Sequence, residues 1–253
     1  MQIARLAFAA AALTALPAAA VLMRADRDDA EYLELATRYR ACVALAHEGE
    51  GVLVASRWVL TSARVANGLR ALKKALPPIT FAGTEHEVQA IYSAGDLGLV
   101  LLRKPVTGIA PILLYRAGDE SGKTVIFVGH GPHGKIGEAA TAADRKARAA
   151  INTVDPVTAR AFALEVKAAD DASDLQGALA PGEDGAATIL ETRDGLFVAG
   201  IATGRERAAV AVTVSGDRDL YARVSAYVGW IEGVMLEVGA KEAADLLGDG
   251  DRR

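Results

Sequence analysis

The chain is short of the residues that staple small exported domains. It holds one cysteine, Cys42, in 253 residues, so no disulfide closes within it. A hydrophobic core has to hold the fold instead, and a chain of this length can bury one of sufficient size. Aromatic residues are only 5% of the sequence, so that core is built from aliphatic side chains. Cys42 sits in an apolar run and reads as a small buried hydrophobe. No basic block is present. With 28 Lys and Arg against 32 Asp and Glu, the net charge is −4, and nucleic acid is not an expected partner. After the N-terminus no run is long and apolar enough to span a membrane as a helix. No cysteine or carboxylate cluster accompanies His130 and His133, which lie in a Gly/Pro-rich turn, so neither a metal nor another cofactor is expected. The acidic run Asp170-Asp171 with Asp174 lacks an EF-hand pattern and reads as a solvated loop.

The first twenty residues have the layout of an export signal. Met1 to Arg5 is short and carries a positive charge, Leu6 to Ala20 is apolar, and Ala18-Ala19-Ala20 supplies small residues for cleavage. A signal peptide over residues 1–20 makes the mature protein secreted or periplasmic. No stable membrane anchor is expected after cleavage.

Residues 24–40 are charged with interspersed Tyr32, Leu33, Leu35 and Tyr39, and fit either a short helix or an extended arm. From Cys42 the pattern changes to short apolar runs between turns. The first set is Cys42–Ala46, Gly51–Ala55, Trp58–Ser62, Ile79–Ala82, Val88–Tyr92 and Leu97–Leu102. The second is Thr124–Gly129, Ala147–Val154, Ala161–Val166, Ala187–Glu191, Leu196–Ile201 and Ala208–Val214. Two groups of short strands predict an all-β architecture, each group able to close into an antiparallel barrel. The first barrel is expected over about 41–112 and the second over about 120–220, within one domain over 21–245. Helical spacing of Val224, Tyr227, Val228, Ile231, Val234 and Met235 predicts a C-terminal helix over about 223–246, before a polar tail at 247–253.

Four blocks carry a family resemblance. Gly51-Val-Leu-Val-Ala-Ser-Arg-Trp58-Val-Leu-Thr61-Ser-Ala-Arg64-Val65 is similar to G-x-L-I-x-x-x-W-V-L-T-A-A-H-C of the trypsin/chymotrypsin serine proteases. Asp96-Leu-Gly-Leu-Val-Leu-Leu102, followed by Pro105-Val106, resembles D-I-A-L-L-x-L…P-V. Ser173-Asp174-Leu175-Gln176-Gly177-Ala178-Leu179 looks like a degraded G-D-S-G-G-P-L. Gly195–Ile201 and Tyr221-Ala-Arg-Val-Ser-Ala-Tyr-Val-Gly-Trp-Ile231 resemble the strand that lines the cleft and the start of the C-terminal helix. Val125–Gly131 is similar to the strand that opens the second barrel. In order, the blocks cover most of residues 41–232.

The resemblance implies two packed antiparallel β-barrels with a C-terminal helix. Carried over, the triad aspartate is Asp96, the histidine position holds Arg64 and the serine position holds Leu175. The family's cysteine after the histidine is Val65 here. The oxyanion turn falls on Ser173, Asp174 and Gly177, and the base of the specificity pocket on Ala169 or the adjacent Asp170. Arginine stays protonated and accepts no proton, and leucine has no lone pair to attack a carbonyl. The resemblance suggests two ion pairs, the first set against a reading in which Arg64 is solvent-exposed and contributes little. Arg64 neutralises Asp96, with a cost of about 3–5 kcal/mol for Arg64→Ala if the pair is buried. A Val21 amine freed by signal cleavage pairs with Asp174.

The expected function is that of an exported protease homologue, a pseudoprotease that binds a protein or peptide ligand in its cleft. One alternative is an active serine-type endopeptidase with a non-standard arrangement drawn from Ser62, Ser173, His47, His86, His130 or His133. Another is a structural or inhibitory partner that uses an outer surface.

Overall fold

The computed structural model describes residues 21–46, 49–72, 76–139, 144–155, 157–207 and 212–250. The export signal at 1–20, His47 and the last three residues of the expected tail lie outside them. Short runs of Val, Leu and Ile between tight turns form strands covered on both faces. Val52, Leu53, Val59, Leu60, Leu99 and Val100 are all fully buried. Their order in the first sheet is Cys42–Leu45, Gly49–Ala55, Trp58–Ser62, Leu97–Leu102, Val88–Ala94. Two-residue turns set the register. Ala55 pairs with Trp58 across Ser56-Arg57, and Ala94 pairs with Leu97 across Gly95-Asp96. Gly95 takes φ +55°, the conformation that a glycine-first hairpin turn requires.

The second sheet runs Arg148–Thr153, Thr124–Gly129, Ala187–Thr192, Gly195–Glu206, Arg218–Arg223, Ala161–Glu165. Leu113–Leu114 adds in parallel to Gly195–Glu206. Both sheets curl into half-barrels, and Ile126, Val128, Ile189, Val198 and Ile201 share one core with the first sheet. The architecture is therefore the expected all-β double barrel closed by a C-terminal helix.

Two local expectations are corrected and one open alternative is settled. Of the apolar run Ala208–Val214 expected as the last strand, residues 208–211 lie outside the described residues and 212–214 are irregular. The strand is Arg218–Arg223, because the long Gly195–Glu206 strand pairs with it from Gly200↔Arg223 to Glu206↔Arg218. Within residues 24–40 the short helix is the alternative found: α1 spans Asp29–Ala36 between turns, with Glu31 accepting from the Asp28 N–H at 3.1 Å in a capping box. The C-terminal helix α3 spans Val228–Gly250 after a 3-10 turn at Val224–Ala226, so the start of the expected tail is helical.

The N-terminal segment belongs to the second half. Val21–Met23 lies between Gly177–Leu179, antiparallel, and Gly134–Lys135, parallel. Val21, Met23 and Tyr32 fill a second core cluster with Phe127, Phe162 and Tyr221. α1 is held to the strand behind it by Arg148, whose guanidinium reaches Asp29 at 2.5 and 2.8 Å.

Candidate functional site

The helix α2, Ala63–Arg70, starts directly after Trp58–Ser62. Ser62 Oγ accepts from the Val65 N–H at 3.2 Å, the usual N-cap contact. Val65, Ala66 and Leu69 form the buried face. Arg64 therefore falls on the outer face, with a side chain 61% exposed. Its guanidinium contacts the carboxylate of Asp184, which is 19% exposed. The expected partner Asp96 is elsewhere. It sits at the exposed tip of the Gly95-Asp96 hairpin, where its carboxylate accepts from Tyr227 Oη at 3.0 Å. Only its backbone meets α2, Asp96 O accepting from the Ala63 N–H at 2.8 Å. An ion pair this exposed contributes under about 1 kcal/mol. Arg64→Ala is thus expected to shift the unfolding free energy by less than that, and urea titration checks it.

Asp184 is placed by backbone contacts. Asp184 O accepts from the Glu50 N–H at 2.9 Å, and the Gly185 N–H donates to Ala202 O at 2.8 Å. Thr61 Oγ1 donates to Glu50 O at 2.6 Å beneath the turn. Gly185 has φ +92°, and a Cβ there would lie 2.1 Å from Glu50 O. The turn runs directly into Ala187–Thr192, whose hairpin partner is the Gly195–Glu206 strand of the fourth block. Gly182-Glu183-Asp184-Gly185 thus stands, relative to that hairpin, where the resemblance would put G-D-S-G, and the residue facing Arg64 is Asp184, not Leu175.

The segment assigned by sequence lies outside this site. Leu175 packs against the second core cluster, and its C=O accepts from the Ile151 N–H at 2.8 Å. Ser173 O accepts from Arg24 Nη1 at 3.0 Å, and Gly177 pairs with Met23. Asp174, 71% exposed, contacts Arg27 and not Val21. Ala169 and Asp170 form an exposed turn. Six residues before Asp184 the pocket-base position is Ala178, which is fully buried. The missed signal was the G-[DE]-x-G spacing immediately before the Ala187–Gly200 hairpin.

Behind the turn lies a buried acidic group. Glu183 Oε2 accepts from the Ala180 N–H at 2.8 Å, while Oε1 has no hydrogen-bond partner among the described residues. Its carboxyl rests on Gly129, where a Cβ would be 1.6 Å from Oε1. Burial, and then the charge of Glu50, pushes the Glu183 carboxyl well above the ordinary range, so its neutral form is favoured. Glu50 is itself buried and accepts from the His130 N–H at 2.9 Å, with a second hydrogen bond of 2.8 Å between Oε2 and His130 Nδ1. Burial opposes charge on His130, yet Glu50 outweighs it and raises the imidazole's proton affinity. Among the described residues no serine hydroxyl hydrogen-bonds to a histidine ring.

Two recesses flank the turn. A groove of about 1470 Å³ runs past Tyr39, Val43, His130, Arg145 and Pro181. A smaller recess of about 260 Å³ is lined by Arg64, Leu179, Ala180, Gly182, Glu183, Asp184 and Arg205. Gly182 borders both. Between the two recesses the site offers a guanidinium and a carboxylate joined to each other. That pair has neither a proton acceptor free for a nucleophile nor a hydroxyl or thiol.

The order of strands, the hairpin that follows the turn and the closing helix define the trypsin-like fold. Comparison with solved structures places beside it human heparin binding protein, a homologue of trypsin-like proteases. The two superpose with a TM-score of 0.60 at 16% identity, over 79% of this chain and 93% of the other. No protein-family model matches the chain, and no curated protein sequence matches it.

Proposed function

We propose that this protein is an exported homologue of trypsin-like serine proteases that does not hydrolyse peptide bonds and acts by holding a protein or peptide segment in its cleft. The observation that supports this reading is the Arg64–Asp184 contact where the resemblance would put the base and the nucleophile. In subtilisin, loss of the triad serine or histidine alone costs about a million-fold in turnover, and both positions differ here. The recesses on either side of the turn keep a concave surface for a ligand. The name of the solved neighbour points to a sulfated polysaccharide as another ligand class. The net charge of −4 weighs against that for this chain. Incubation of the purified protein with casein tests the reading. Intact casein is the expected result, and cleavage that scales with the amount of protein would make the chain a working endopeptidase.

A further inference from the structure

We infer that the recess between Arg64 and Arg205 is a carboxylate-binding subsite, so that the segment held in the cleft presents an acidic side chain or a free C-terminal carboxylate there. This rests on the reading of the cleft as a peptide-holding site. The recess holds two guanidiniums and two carboxyl groups, and of the guanidiniums only that of Arg205 has no side chain in contact with its charge. Arg64 is balanced by Asp184, and Glu183 favours its neutral form. The Arg205 side chain makes no hydrogen bond or ion pair among the described residues, although its backbone pairs with Asp219 in the sheet. Partial burial and the nearby charge of Arg207 lower its pKa, against the opposing charges of Asp219 and Glu183, while the residue as a whole stays exposed to a ligand. Arg207 does not share this role, since its Nη2 reaches Asp219 at 2.5 Å and Leu179 O at 2.8 Å.

Arg205 is aimed by the backbone. The pairing of Gly195–Glu206 with Arg218–Arg223 slips between Ala202 and Gly204, and such a bulge re-aims the side chains that follow it. The guanidinium is a planar fork that takes a carboxylate through two parallel bonds. Leu179 and Ala180 give the recess a short apolar wall for the carbons that carry the carboxylate. About 260 Å³ has room for one such side chain or chain end. A lysine or arginine of the ligand would meet like charge.

The test uses the exported, full chain and four blocked alanine tetrapeptides. One is a neutral amide, one ends in a glutamate amide, one has a free C-terminal carboxylate and one ends in a lysine amide. Calorimetry reads binding, and mass spectrometry of the same samples reads peptide integrity. One or both carboxylate peptides are expected to bind at least about tenfold tighter than the neutral and lysine peptides, the value of one good charge-assisted contact. Arg205→Gln is expected to remove that preference with an unchanged melting temperature. Preference for the glutamate peptide alone assigns the side chain, and preference for the free terminus alone assigns the chain end. Equal binding of all four overturns the subsite and leaves a peptide-holding cleft. No binding of any peptide overturns it too, as does Arg205-dependent binding of a heparin tetrasaccharide without peptide binding. Cleaved peptides would overturn the non-proteolytic reading, while a carboxylate preference lost in Arg205→Gln would still support the subsite.

Discussion

Replacing Arg148 with alanine is expected to lower the unfolding free energy by about 3 kcal/mol. The side chain is 1% exposed and lies under α1. It reaches Asp29 at 2.5 and 2.8 Å and Asp144 at 2.8 and 3.0 Å. Arg148 holds the Asp144 carboxyl well below the usual carboxylate range. Truncation removes all four charge-assisted bonds and leaves space beneath the helix. Breaking a buried pair costs about 3–5 kcal/mol, and the lower end applies because both carboxylates are partly exposed and rehydrate. The sign with pH follows from the lowered carboxyl of Asp144. Its stabilisation is present above the unfolded value of 3.8 and fades as pH falls below it. Urea titration near neutral pH gives the size, and the same titration near pH 3 should show a smaller gap. A loss under about 1 kcal/mol at neutral pH would mean that α1 is not anchored through Arg148.

Gly185→Ala is expected to cost about 3–4 kcal/mol and to dislodge the turn that carries Asp184. An L residue at φ +92° is strained by about 1–2 kcal/mol. The added Cβ would also sit 2.1 Å from Glu50 O and 2.4 Å from Thr61 Oγ1. A backbone atom cannot swing away as a flexible side-chain end does, so the turn itself has to move. Its two tethers, Glu50 N–H to Asp184 O and Gly185 N–H to Ala202 O, each contribute about 1 kcal/mol and weaken together. A Gly185→Ala protein within about 1 kcal/mol of the wild type would show that the turn is not fixed as described.

The aliphatic strands were legible because their burial on two faces leaves short Val/Leu/Ile runs bounded by turn residues, as at Trp58–Ser62 and Leu97–Leu102. Arg64 was legible because the Trp58 block fixes its distance from the strand. Asp184 was not. The stretch around Leu175 offers an aspartate, a glycine and an apolar end at familiar spacing, whereas the turn at Gly182–Gly185 has an acid where a hydroxyl is expected. Only the strand pairing shows which turn leads into the Gly195–Glu206 hairpin. The Arg64–Asp96 pair failed for a related reason. Sequence places the two residues in one site, but Asp96 is the second residue of a tight hairpin that points its carboxylate toward Tyr227. Arg205 carried no local signal, since its direction follows from a bulge.

The most direct measurement is fluorophosphonate labelling of the wild type beside an Arg64→His/Asp184→Ser variant. The probe reacts with a serine only when a base activates it. The wild type is expected to remain unlabelled, and any gain of label in the variant should map to position 184. Labelling of the wild type at any serine would contradict the account, because an activated nucleophile would then exist outside the Arg64–Asp184 site.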